Sequence, residues 1–375
     1  MGKKVIILNH GLHISGVSRT LVNFANSLVK HGYDVTIKIE INDFTLKSEL
    51  DSRVKCSLFL KELHPFGLRI KGFLRFYSKY LKWLLKQSAS KQYKLVVRNN
   101  YDIEIAFNRG AAAKIISGSD NKNASKLVWV HSDYMLNDNP LAGFKCLKDA
   151  QNGYSRFDHI VCVSEQAEKS FAKKFGEGYP TITKYNIMDV ERIRKMANET
   201  LINKKRFTIV AVGRLCEAKN YELLMDVIDR LNHKGLDIDC WIVGGGQLDS
   251  KLIQYKNKKK LENVYFLGSK NNPYPYIKSA DLYISTSKYE GLSTTTIEAL
   301  ILEKPCVVTD CTGMRNILGN NEFGVIVPIN IDALLLEVEK MMTDKKYREY
   351  YSKCAAKRAP FFNSENSFKS IEELF

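Results

Sequence analysis

Short runs of β-branched and aliphatic residues recur along this chain, several ending in glycine and passing into stretches with apolar residues at helical spacing. Val5-Ile-Ile-Leu8 is followed by a loop, Asn9 to Val17, that holds Gly11 and Gly16. Ser18 to Lys30 then places Leu21, Val22, Phe24, Ala25, Leu28 and Val29 on one helical stripe. Phe207-Thr-Ile-Val-Ala-Val-Gly213 leads into Arg214-Leu-Cys-Glu-Ala-Lys219-Asn220 and a helix from about Tyr221. Asp239-Cys-Trp-Ile-Val-Gly244-Gly-Gly246 is another strand that ends in glycines, which permit close backbone approach to a ligand. Tyr101 to Phe107 and Lys126 to His131 read as further strands. Strands alternating with amphipathic helices imply parallel sheets of the α/β class. At 375 residues and 45% hydrophobic content, the chain is long enough for two such cores. A break after Pro180, at Tyr185 to Asp189, sets the expected boundary, giving domains 1–185 and 186–359.

Glu290-Gly-Leu-Ser-Thr-Thr-Thr-Ile-Glu298 places two carboxylates across a strand-to-helix turn, between Leu282-Tyr-Ile-Ser-Thr286 and Ile297-Glu-Ala-Leu-Ile-Leu302. Were the segment wholly helical, the pair would stand roughly 12 Å apart, too far for one metal or one proton. They therefore serve different parts of a long ligand, such as a nucleotide sugar. Free amides near Gly291, Leu292, Ser293 and Thr294, with the positive helix end, offer a place for phosphate. Thr295-x-x-Glu298 is equally a capping-box pattern, in which the glutamate only satisfies a backbone N–H. Arg214 and Lys219 share one loop beyond a strand's carboxyl end, where ligands of open parallel sheets bind. Taken singly, each is more often a solvated surface charge than a ligand.

In this order the blocks resemble the carboxyl-terminal domain of the GT-B retaining glycosyltransferases of family 4, the glycosyl transferases of group 1. The resemblance implies two Rossmann-like domains facing each other across a cleft, with a C-terminal helix crossing back to the N-terminal domain. The tail 360–375, with Phe361, Phe362, Phe368, Ile371 and Leu374, matches that helix. It further implies that Arg214 and Lys219 hold the donor diphosphate, that Glu290 binds the transferred sugar and that Glu298 binds the ribose. Lys304 to Asp310 and Cys311-Thr-Gly-Met-Arg315 match the strand and loop that follow the two glutamates. Gly16 matches a phosphate-facing glycine, but Ser15 and Ser18 stand where the family has a glycine and a glutamate. His131 matches a histidine that contacts the donor sugar; without the resemblance, a hydrogen-bonded core role is the alternative. Val161-Cys-Val-Ser164 matches a family segment without assigned chemistry, and His10 and His13 flank the first glycine loop. The expected activity is retaining hexosyl transfer from a UDP-sugar to a glycan or lipid-linked acceptor in bacterial surface polysaccharide synthesis, with no divalent metal or other cofactor. A nucleotide-sugar epimerase of similar fold is the alternative enzyme. Asp237-Ile-Asp239 has the form of a metal-binding motif, but it begins a strand rather than ending one.

Eight cysteines without a Cys-x-x-Cys pair or a zinc spacing suggest buried thiols in a reducing compartment. No signal peptide and no run of roughly 20 apolar residues is visible, which leads to the expectation of a cytoplasmic protein. The net charge of +16 is concentrated in Arg69, Lys71, Arg75, Lys79, Lys82, Lys86, Lys91, Lys94 and Arg98. On a helix, Lys71, Arg75, Lys79, Lys82 and Lys86 share a face opposite Ile70, Phe73, Leu74, Tyr77, Leu81 and Leu84, with Phe76 and Trp83 at the border. Such a helix can lie on an anionic membrane surface, each charge contributing on the order of 1 kcal/mol. A helix packed on the domain with solvated lysines has the same pattern. Nucleic-acid binding would also suit a pI near 9.3, but no RNA- or DNA-binding motif is present, so no nucleic-acid partner is expected.

Overall fold

The computed structural model describes residues 2–60, 70–136 and 139–375, and the side chains of all of these except 70–76. The chain forms two compact units, Met1–Ile187 with Ser367–Phe375, and Met188–Asn366.

In the first unit seven strands form a parallel sheet: β1 (Lys4–Asn9), β2 (Asp34–Ile39), β3 (Lys55–Leu58), β4 (Ile103–Ala106), β5 (Ser125–Val130), β6 (His159–Cys162) and β7 (Thr181–Thr183). Their order is β3-β2-β1-β4-β5-β6-β7. Val5, Ile6, Ile7 and Leu8 are completely buried, because the crossover helices of a parallel sheet cover both faces of its central strands. Val5 pairs with Val35 on one side and Ile103 on the other, so strand order reverses direction between β1 and β4. The loops after these two strands diverge there and leave a crevice.

The second unit repeats the plan with six parallel strands: β8 (Phe207–Val212), β9 (Ile238–Val243), β10 (Val264–Phe266), β11 (Leu282–Ser285), β12 (Cys306–Thr309) and β13 (Val325–Val327). The order β10-β9-β8-β11-β12-β13 puts the reversal between β8 and β11. Its core packs Ile209, Ile242, Ile284 and Val307 from the strands against Leu224 and Ile228 of the helix Tyr221–His233 and Leu334 and Val338 of the helix Ile331–Thr343.

Two expectations need correction. The tail joins the first unit only from Ser367, not from 360. The Arg358 guanidinium lies 3.9 Å from the Phe361 ring and 5.3 Å from that of Phe362, and Met188 bridges to Asn363, which keeps the intervening residues with the second unit. The apolar side of the helix Ile70–Leu85 is also not free to enter a bilayer at the positions described. Tyr77 and Leu84 are buried, and Tyr77 Oη donates to the Glu40 carbonyl at 2.6 Å. Lys79, Lys82 and Lys86 remain exposed beside Trp83. Arg69 and the side chains of Lys71 and Arg75 lie outside the described residues. All eight cysteines are free, and Cys146 is exposed rather than buried. No described helix is long and apolar enough to cross a membrane.

Candidate donor site

The carboxyl ends of β8 and β11 are neighbours because these strands pair, Leu282 opposite Ile209. From β8 the chain runs through Gly213 and the exposed Arg214 into a short turn, Glu217–Lys219, which Asn220 ends with a φ of 52°. A Cβ on Gly213 would stand 3.0 Å from Lys219 Cε and 3.1 Å from Tyr221 Oη, so glycine is what lets the lysine side chain pass. Lys219 Nζ donates to Glu290 Oε1, and the two side chains are only 18% and 15% exposed. Burial alone would lower the lysine pKa, but the charge of Glu290 and the hydrogen bond to it outweigh this and raise it. The ammonium is therefore held charged in a poorly hydrated place.

Several bonds fix this pair. Thr286 Oγ1 donates to the Lys219 carbonyl at 2.9 Å and the Asn220 carbonyl at 3.1 Å. The Lys288 amide donates to the Ala218 carbonyl at 2.7 Å. Ser287 Oγ donates to Glu290 Oε1 at 2.8 Å. None of Thr286, Ser287 or Lys288 stood out in the sequence; the one available signal was a hydroxyl run at the end of a strand, three residues before Glu290. Arg214 shares the β8 loop but forms no ion pair among the described residues.

The helix Thr294–Ile301 follows, and its N-cap is Ser293, whose Oγ accepts from the Thr296 amide at 3.4 Å. This removes the capping-box alternative, because Thr295 and Glu298 both lie inside the helix. Glu298 is 5% exposed and accepts from Tyr274 Oη at 3.4 Å. A buried carboxylate in an otherwise apolar helix face needs polar partners, and it is not spent on the helix end. Gly291, Leu292 and Ser293 are buried and Thr294 is partly so, and no acidic residue lies in the helix's first turn to compete for an anion. A Cβ on Gly313 would run into the Gly291 carbonyl, so the loop after β12 rests directly on this turn.

The glycines after β9 have a different reason from the one expected. A Cβ on Gly244, whose φ is 153°, would strike the Gly213 carbonyl oxygen, and one on Gly246 would strike the backbone of Leu215. The close approach they allow is between the β8 and β9 loops, which packing alone accounts for. Asp237 and Asp239 sit at the opening of β9, both paired with Arg206, at 2.6 Å and 3.6 Å.

In the first unit, Gly16 opens the helix Gly16–Lys30. The serines at the two unusual positions have local work: Ser15 caps the helix by accepting from the Ser18 amide at 3.2 Å, and Ser18 Oγ donates to the Gly11 carbonyl at 3.3 Å. His131 follows β5, its ring 4.9 Å from that of Phe107. Burial pushes its pKa down to about 4, partly opposed by its hydrogen bond to the Phe107 carbonyl. Nε2 is buried with no partner among the described residues, so Nδ1 carries the proton and Nε2 is an unused acceptor. His10 is bonded to Glu40 at 2.8 Å, which raises its pKa. Ser164 caps the helix Glu165–Phe175.

Residues 192–358 match the profile of the family described as Glycosyl transferases group 1. That match lies wholly within the second unit. The chain is 30% identical over 214 residues to an uncharacterized glycosyltransferase of Methanocaldococcus jannaschii, covering 53% of this chain and 51% of that one. It is 35% identical over 182 residues, 48% and 49% of the two chains, to a Campylobacter jejuni enzyme named N-acetylgalactosamine-N,N'-diacetylbacillosaminyl-diphospho-undecaprenol 4-alpha-N-acetylgalactosaminyltransferase. These matches span about half the length of the curated relatives. The relatives are named as glycosyltransferases, and the epimerase alternative finds no support among them. In fold, the chain is similar over 99% of its length to Anabaena HepE crystallised with UDP and glucose, at TM-score 0.75, 18% identity and 98% of that chain. It is likewise similar to Staphylococcus aureus TarM, at TM-score 0.76, 16% identity and 99% coverage of both chains. With its two Rossmann-like parallel sheets, the chain belongs to the GT-B fold class.

Proposed function

We propose that this chain is a retaining glycosyltransferase that moves a sugar from a nucleotide-sugar donor, a UDP-sugar, to a glycan or lipid-linked acceptor in bacterial surface polysaccharide synthesis. The observation that carries the reading is the buried Lys219–Glu290 pair at the β8/β11 reversal, beside the first turn of the helix Thr294–Ile301. The group 1 match, a relative named for a diphospho-undecaprenol acceptor and a UDP-bound structural neighbour support the same class.

Cleaving the anomeric C–O bond develops negative charge on the departing diphosphate and positive charge on the sugar ring. Fixed cations and amides at the first lower the barrier. Lys219, Arg214 and the amides from Gly291 to Thr294 fill that role. Glu290 orients the sugar through its hydroxyls, and Glu298 accepts from the ribose. His131, neutral at physiological pH, would contact the other side of the sugar. The leaving phosphate takes the acceptor proton on the same face, so no side chain is required as general base. The two side-chain cations do the work of a divalent metal, and turnover is expected to persist in excess EDTA. The basic surface at Lys79, Lys82 and Lys86 would bring the enzyme to the cytoplasmic face of a membrane carrying its acceptor.

A panel of UDP- and GDP-sugars tests the reading, scored by thermal stabilisation and by release of nucleoside diphosphate in EDTA. One UDP-sugar should both stabilise the protein and be consumed. Lys219→Ala and Glu290→Gln should each lower kcat by about a hundredfold or more while the protein stays folded. Near-normal rates in both variants would refute the assignment.

A further inference from the structure

Glu290 Oε1 is shared: it takes one hydrogen bond from Lys219 Nζ and another, at 2.8 Å, from Ser287 Oγ. If Lys219 serves the donor's diphosphate, it must turn at least part of its charge from the glutamate when donor binds. Something else has to hold the carboxylate at that moment, since an ionised group in a largely buried place costs several kcal/mol without partners.

Ser287 is built for this. It is completely buried, two residues past the end of β11, and its carbonyl accepts from Thr309 Oγ1 at 2.6 Å, which ties it to β12. Its hydroxyl lies 3.1 Å from that of Ser285, the last residue of β11. The neighbour Thr286 holds the Lys219 and Asn220 carbonyls. Successive residues just past the strand end thus brace the two members of the ion pair separately: Thr286 the lysine loop, Ser287 the glutamate. The Ser287 hydroxyl that donates this bond is itself neutral, so the diphosphate has no charge on it to attract away from Glu290.

We propose that Ser287 is a positioning residue that holds Glu290 for the sugar while the donor's diphosphate draws on Lys219, with Ser285 bridging to its hydroxyl. The inference rests on the transferase reading above and adds a residue and a role to it.

The test compares wild type with Ser287→Ala and Ser287→Thr, using the UDP-sugar that wild type consumes and free UDP as a probe without the sugar. Loss of one hydrogen bond to a charged group should lower kcat in Ser287→Ala by about tenfold to a hundredfold. Affinity for free UDP should stay within about twofold, because Lys219 and the helix amides are untouched. Ser287→Thr, which keeps the hydroxyl, should recover most of kcat. A wild-type kcat in Ser287→Ala overturns the proposal. So does a parallel loss of UDP binding, which marks a structural role, and so does a UDP-binding Ser287→Thr variant no faster than Ser287→Ala. Failure of the underlying reading looks different: wild type itself then consumes no nucleotide sugar.

Discussion

At the scale of single residues, the least expected is His131, partly exposed as a residue yet with its Nε2 buried. Its pKa of about 4, against an ordinary 6.5, has a definite sign for stability. Between those values the unfolded chain binds a proton that the folded chain does not, so stability falls as pH drops from about 6.5 towards 4 and is flat above. The full shift corresponds to about 3 kcal/mol at most. His131→Gln lacks the titration. The difference in urea-unfolding free energy between the two proteins should therefore move by up to that amount, in favour of the variant, between pH 7 and pH 4. A constant difference across that range would show that the imidazole is not desolvated. In the proposed sugar contact, the ring would be neutral and not a cation.

At the scale of elements, strands buried on both faces announce themselves as continuous aliphatic runs, which is why Val5 to Leu8 and Phe207 to Val212 were readable, as were the loops that follow them. The residues that pin those loops were not. Ser287 and Thr286 act through neighbours fixed by strand pairing, and nothing in a hydroxyl's local sequence says which way it points. Choosing Ser293 over Thr295 as the helix cap likewise depended on where β11 lets the chain turn. The helix Ile70–Leu85 shows the same limit, since amphipathic spacing cannot distinguish packing on a sheet from packing on a lipid surface. With Tyr77 and Leu84 already buried, the proposed membrane attraction would be electrostatic at the described positions. The protein should sediment with vesicles containing anionic phospholipid at low salt and be released near 0.5 M salt, roughly where charges are screened within a few ångströms. Changing Lys79, Lys82 and Lys86 to Ala should cut binding more than tenfold, at about 1 kcal/mol per charge. Absence of sedimentation at moderate salt removes the membrane proposal, and retention at high salt replaces it with insertion.

At the scale of the whole molecule, the last residues close the first unit after the chain has completed the second. Phe368 is fully buried, its ring 4.0 Å from that of His31 and 6.4 Å from that of Tyr33. Phe375 lies 5.6 Å from Tyr33 and 6.5 Å from Phe24. Tyr33 Oη donates to Glu372 at 2.8 Å; burial and that carboxylate together push its pKa up to about 12. The tail is therefore part of the first core and contributes to it as a core aromatic would. Phe368→Ala should destabilise the first unit by about 3–5 kcal/mol, the usual range for emptying such a position. Native-state hydrogen exchange locates the effect. Loss of protection should concentrate in the helix Gly16–Lys30 and in β2, whose joining turn holds His31 and Tyr33. Unchanged protection there, with the variant folded, would mean that Ser367–Phe375 only decorates the first unit and that its core is complete by Ile187.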